Sequence, residues 1–225
     1  MRELIVNNYP KSSVTEAIRN VKTNLCFSSI SKKIKKILVT SSIPGEGKSF
    51  ISANLATIFA DPTQKVLLID CDLRRGRQNK LFDLEGYSMG LSNLLIDSNW
   101  KKKLNKYILS TDIENLDVMI SGAIPPNPTY LLESKRLENI ISELEKEYDI
   151  IIFDAPPVTG LSDALLLTRL VDTTLVVTRA RKTPIDVLDN TLNSLKAVNA
   201  PVAGVILNRV KKSRSKYYNN YYTNK

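Results

Sequence analysis

The stretch SSIPGEGKS at 41–49 leaves little freedom for the fold around it. It follows an apolar run, KILVTS at 36–41, and leads into the helical stretch FISANLATIFA. Glycines placed between a strand and a helix let backbone N–H groups turn inward around phosphate oxygens, and the helix N-terminus adds its positive end. Ser42, Pro44, Gly45, Glu46, Gly47, Lys48, Ser49 and Phe50 are therefore the candidate nucleotide-binding residues. Lys48 would neutralise β- and γ-phosphate oxygens, and the Ser49 hydroxyl would ligate Mg2+. Ser42 departs from the usual pattern, in which a leading glycine is common.

Five further apolar runs recur at 65–70, 116–121, 148–154, 173–178 and 202–208. Their hydrophobicity is near-continuous, as a parallel sheet covered on both faces requires. Helical patterns lie between several of them, the clearest at SKRLENIISELEKEY, where Leu137, Ile140, Ile141, Leu144 and Tyr148 share a face. The spacing predicts a doubly wound, mostly parallel α/β/α sandwich whose ligand lies at the carboxyl ends of the strands. Near the N-terminus, Val14, Ile18, Val21 and Leu25 form an apolar stripe on a helix at about 12–27, with Ser12 or Ser13 as its cap. Residues 1–210 read as one domain and 211–225 as a flexible tail without an apolar period.

What the chain lacks narrows its chemistry. It contains no histidine, which removes Ser-His-Asp and Cys-His nucleophiles and most zinc sites, leaving carboxylates, lysine and a bound metal. Cys26 and Cys71 have no metal-ligand spacing and fit two reduced thiols of a cytosolic protein. No signal peptide and no apolar run of about 18 residues is present, so the chain is expected not to span a membrane. The net charge of +9 resides partly in KKIKK, LRRGRQNK, KKK and KKSRSK. Each of these reads first as solvated surface, none is interleaved with aromatics as a nucleic-acid platform would be except at the very C-terminus, and no nucleic-acid partner is expected.

Two more strand ends carry acids: LLIDCD supplies Asp70 and Asp72, and IIIFDAPP supplies Asp154. Any one could be only a helix cap or turn former. Together, on strands of a phosphate-loop sheet, they meet at one crevice and could hold Mg2+ and order a nucleophile. Asn208 ends the last run and is either a turn residue or, by its similarity in position to related nucleotide-binding folds, a contact to adenine.

Taken together, SIPGEGKS, LLIDCDLR and IIIFDAPP resemble the Walker A, A′ and B motifs of the bacterial tyrosine kinases that control capsule and exopolysaccharide synthesis. PPNP at 125–128, the helical Glu16-x-x-Arg19-x-x-Lys22 and the closing KYYNNYYTNK are also similar to that family. The resemblance implies an ATP- and Mg2+-dependent protein-tyrosine autokinase. By it, Lys48, Asp70 and Asp72 are catalytic, with Asp70 the base or orienting group, and Ser49, Asp72 and Asp154 hold Mg2+. It further implies a ring-shaped homo-oligomer, an octamer being the size it suggests, joined through Glu16, Arg19 and Lys22. A membrane-embedded activator with a cytoplasmic tail would place the kinase at the inner face of the membrane, and a cognate tyrosine phosphatase would oppose it. Lys22 stands where the family usually has arginine, and Tyr130 where an acid often follows PPNP.

Alone, Tyr217, Tyr218, Tyr221 and Tyr222 would be a sticky extension; beside these motifs they become the phosphoacceptors. Two rivals stay open. A partition or division-site ATPase needs a second, leading lysine in the loop, where this chain has Ile43. A non-catalytic ATP-sensing assembly regulator would have no need of Lys48, Asp70 and Asp72 together.

Overall fold

The structure, a computed structural model, describes residues 4–28 and 34–211. Tyr217, Tyr218, Tyr221 and Tyr222 lie outside the described residues.

Seven strands form one sheet: β1 (Lys36–Ser41), β2 (Val66–Asp70), β3 (Leu109–Ser110), β4 (Leu116–Met119), β5 (Ile150–Asp154), β6 (Thr173–Arg179) and β7 (Val202–Asn208). Their spatial order is β3-β4-β2-β5-β1-β6-β7. All neighbours are parallel except β3, which runs antiparallel to β4. The six apolar runs thus become the six parallel strands. The two-residue β3 has no apolar run to announce it, because it is a short edge segment.

The continuous hydrophobicity of the central strands divides between two helical layers. Leu38, Leu67, Ile69, Met119, Ile151 and Phe153 belong to one core, which the Lys135–Glu147 helix closes with Leu137, Ile140, Ile141 and Leu144. Ile37, Val39, Val66, Leu68, Val118 and Ile152 face the other, where the Lys48–Phe59 helix contributes Ile51, Leu55 and Phe59. Successive side chains of a strand alternate between faces, so a strand covered on both sides must be apolar at every position. Edge strand β7 departs from this: Val205 and Leu207 are 43% and 58% exposed and belong to neither core, whereas Ile206 on the opposite face packs against the second.

The N-terminal helix spans Ser13–Ser28. Ser12 caps it, its Oγ accepting the Thr15 N–H at 3.1 Å. Ile18, Val21 and Leu25 of the expected stripe pack inward, and its first position departs. Val14 is exposed, and Thr15 takes the inward place beside Ile18 and Leu25. Thr15 is buried because its hydroxyl donates to Tyr9 O at 2.7 Å; a satisfied hydroxyl is tolerated where a bare one would cost stability.

Candidate functional site

The sheet order assembles the site. β5 lies between β1 and β2, so the loop after β1, the end of β2 and the end of β5 are immediate neighbours. Asp154 is in register with Val39 on one side and with Asp70 on the other.

The phosphate loop has the backbone its glycines were expected to supply. Gly45 and Gly47 have φ of +82° and +99°, values L side chains rarely adopt. Gly47 leads into the helix that begins at Lys48. Pro44 and Gly45 are exposed at the tip, whereas Phe50 packs against the core beneath the helix. Glu46 is fully buried, a place the sequence does not explain. Its carboxylate accepts the Ile43 N–H at 2.8 Å and the Thr183 hydroxyl, tying the loop to the turn after β6. Asn208 Nδ2 donates to Glu46 O at 2.8 Å. A Cβ added to Gly47 would stand 2.2 Å from that nitrogen. Asn208 thus sits on the main chain of the loop.

Lys48 lies among carboxylates. Its Nζ is 2.9 Å from Asp72 Oδ2 and 3.8 Å from Asp154 Oδ1. Burial alone would lower the lysine pKa, but the negative charges of Asp154 and then Asp72 outweigh it and raise the pKa above the usual lysine value. Asp70 is fully buried. Its Oδ2 accepts the Arg77 and Gln78 N–H groups at 2.8 and 3.0 Å, and its Oδ1 accepts the Asp72 N–H at 3.2 Å. Burial, then repulsion from Asp154, push this carboxyl up to about 7. Asp72 Oδ1 accepts the Arg75 N–H at 3.0 Å, so the loop after β2 winds around both of its acids.

Several contacts of the site carry no signal in the sequence. LRRGRQNK reads as a basic surface patch, yet Leu73 and Gln78 are buried. Arg74 Nε donates to Asp163 Oδ2 at 2.8 Å and Arg74 Nη2 to Thr129 Oγ1 at 3.0 Å. Thr129 directly follows the PPNP segment. Asn127 caps the Pro128–Glu133 helix by accepting the Tyr130 N–H at 3.2 Å, and Thr129 donates to Asp163 Oδ1 at 2.6 Å. Charges within LRR could suggest a partner, but nothing in the sequence says that it is Asp163, 89 positions later.

The residues expected to mediate self-association are placed differently from one another. Glu16 and Arg19 pair on the exposed side of their helix at 3.5 Å. Lys22 turns inward, its Nζ donating to Ile58 O at 2.9 Å and lying 3.5 Å from Asp61. It also stands 5.1 Å from the centre of the Phe59 ring. Lys22 therefore pins the N-terminal helix to the C-terminal end of the phosphate-loop helix.

Known proteins share this fold. A family model described as an AAA domain matches residues 34–204. The chain is 36% identical to the tyrosine-protein kinase YwqD of Bacillus subtilis over 222 residues, covering 99% of this chain and 92% of the relative. The solved kinase domain of the Escherichia coli tyrosine kinase ETK superposes with a TM-score of 0.87 at 33% identity, covering 94% of this chain and 82% of that one. The wider fold includes the septum site-determining protein MinD of Pyrococcus horikoshii, complexed with Mg-ADP. That structure has a TM-score of 0.64 at 25% identity over 80% of this chain and 72% of its own. The fold is thus that of nucleotide-binding phosphate-loop proteins, and within it the chain belongs to the family of bacterial tyrosine-protein kinases.

Proposed function

We propose that the chain is an ATP-dependent autokinase that phosphorylates Tyr217, Tyr218, Tyr221 and Tyr222 of a neighbouring copy in a ring. The observation that carries this reading is the position of Lys48, held between Asp72 and Asp154 at the mouth of the phosphate loop, with Asp70 alongside.

ATP phosphates fit the loop. Gly45 and Gly47 hold the positive φ values that let successive N–H groups turn inward toward an anion, and the Ser42 hydroxyl is buried with no partner. The residues also fit Mg2+. Asp154 Oδ1 is a buried carboxylate oxygen without a hydrogen bond. Among the described residues no three His, Cys, Asp or Glu side chains could hold an ion by themselves. That suits Mg2+, which takes one or two carboxylates and completes its shell with phosphate oxygens and water. Ser49, Asp72 and Asp154 would hold it. When bound, Mg2+ neutralises charge on the phosphates during transfer. Mg-ADP in the MinD structure supports this cofactor pair.

The chain's own residues account for the remaining steps. Lys48 leaves Asp72 for the β- and γ-phosphate oxygens, which frees Asp72 and Asp154 as ligands. The γ-phosphoryl group then passes in line to a tyrosine oxygen, the O–P bond to ADP breaking as the new one forms. Asp70, whose carboxyl titrates near neutrality, orients the tyrosine hydroxyl and takes its proton. Its oxygens are held by main-chain N–H groups, so the loop at 71–78 has to yield for that contact.

Each phosphate adds about −1.5 to −2 charges, so several would reverse the sign of a segment that carries Lys211, Lys212, Arg214, Lys216 and Lys225. Phosphorylation would then loosen the ring joined by the Glu16–Arg19 helix. In this reading a membrane protein's cytoplasmic tail activates the kinase and holds it at the membrane, a phosphatase resets it, and capsule or exopolysaccharide synthesis is the process governed. Among the described residues no helix is long and apolar enough to cross a membrane.

The test is incubation with labelled ATP and Mg2+, followed by mass spectrometry of the C-terminal peptide. Phosphate on Tyr217, Tyr218, Tyr221 or Tyr222 is expected, with none in Lys48→Met. Free phosphate with an unmodified tail, in the presence of an activator tail, would refute the reading.

A further inference from the structure

Gln78 is fully buried although Arg77 and Lys80 beside it are exposed. Its backbone N–H donates to Asp70 Oδ2 at 3.0 Å. Its side-chain Nε2 lies 2.8 Å from Asp154 Oδ2, 3.1 Å from Ser52 Oγ and 3.2 Å from Ser49 O. Ser52 gives its own proton to Ser49 O, which leaves its hydroxyl oxygen free to accept. Three acceptors around one nitrogen decide the orientation of the amide. The other end, Oε1, is buried and has no partner.

One residue thus holds both strand-end acids that stand in register across β2 and β5. Its main chain holds Asp70 and its side chain holds Asp154. The consequence falls on Asp154, whose Oδ2 accepts from Gln78 while Oδ1 is left without a hydrogen bond, 3.8 Å from Lys48. A carboxylate with one oxygen anchored has one oxygen to offer. We propose that Gln78 is a positioning residue for the divalent cation: it presents Asp154 Oδ1 to the ion, and its own Oε1 is the acceptor left for a water of the ion's shell. Metal ligands are commonly oriented by such outer partners. The requirement for glutamine is specific. Glutamate would set a third carboxylate against Asp70 and Asp154, an apolar side chain would leave Oδ2 bare, and asparagine is one methylene short.

This inference rests on the nucleotide-and-metal reading above, and calorimetric titration of ADP into the full-length chain separates the two. In the wild type, ADP binding should tighten with Mg2+; if it does not, that reading fails whatever Gln78 does. In Gln78→Met, the variant's own ADP affinity in EDTA is the reference against which its Mg2+ effect is read. The Mg2+ concentration that half-saturates the tightening should rise by about 10- to 100-fold. A merely structural glutamine would lower the melting temperature and leave that concentration unmoved, which would overturn the proposal. Gln78→Asn keeps the amide and the backbone bonds, and it serves if the methionine variant does not fold. It should shift the Mg2+ requirement in the same direction, and an unshifted value refutes. Failure of both variants to fold would assign Gln78 to the fold rather than to the site, and would overturn the proposal as well.

Discussion

Replacing Lys48 by methionine should do more than stop catalysis: it should destabilise the nucleotide-free protein in a pH-dependent way. Lys48 is the cation among Asp70, Asp72 and Asp154, with 11% of its side chain exposed and its Nζ 2.9 Å from Asp72. Removing one partner of a buried pair costs about 3–5 kcal/mol, because the other charges remain without compensation. About 4 kcal/mol is expected at pH 8. Asp70 already titrates near 7 in the wild type because of burial and Asp154, far above an unfolded aspartate near about 3.9. Its folded pKa is raised, so its contribution to stability is full in acid and is lost as pH rises toward 7. Lys48 holds the Asp70 pKa down, so without it Asp70 keeps its proton to still higher pH. Wherever the folded variant holds one proton more than the folded wild type, the penalty shrinks by about 1.4 kcal/mol per pH unit on acidification. The penalty should therefore fall to about 2–3 kcal/mol near pH 6. Urea unfolding in EDTA at both pH values measures it. For a chain of 225 residues the pH 8 loss corresponds to a melting temperature lower by about 8–16 °C. Equal losses at pH 8 and pH 6, or none at pH 8, would refute the account of Lys48 as the counter-charge of this cluster.

Two other predictions follow from particular contacts. Gly47→Ala places a Cβ 2.2 Å from Asn208 Nδ2 at a φ of +99°, costing about 1–2 kcal/mol from the backbone alone and breaking the Asn208–Glu46 bond. ADP affinity by calorimetry should fall at least tenfold, and wild-type affinity would refute the role of Asn208 in shaping the loop. Burial, reinforced by Asp70 and Asp154, holds the Cys71 thiol well above the ordinary range, whereas Cys26 is exposed. A thiol-reactive dye should therefore label one cysteine rapidly in the native protein and both in denaturant, and rapid native labelling of Cys71 would contradict its burial behind the acids of β2.

The sequence alone determined the chemistry available to this protein and the elements that carry it. The loop at 41–49, acids at the ends of two apolar runs and the absence of histidine are local facts, legible because strand, turn and helix preferences act over a few residues. The apolar face of the Lys135–Glu147 helix, Leu137, Ile140, Ile141 and Leu144, was legible for the same reason. Tertiary structure decided what depends on residues far apart in the chain. It inserted β5 between β1 and β2, which brings Asp154 level with Asp70 and within 3.8 Å of the Lys48 ammonium. It moved the inward position of the N-terminal helix from Val14 to Thr15, because the partners of that hydroxyl lie in the preceding turn. It also buried Gln78, which the sequence presents as one polar residue in a basic run, since its four acceptors come from the strand ends and the phosphate-loop helix. Periodicity registers how a side chain meets water along one element; which carboxylate it meets across the sheet is settled only when the strands have been ordered.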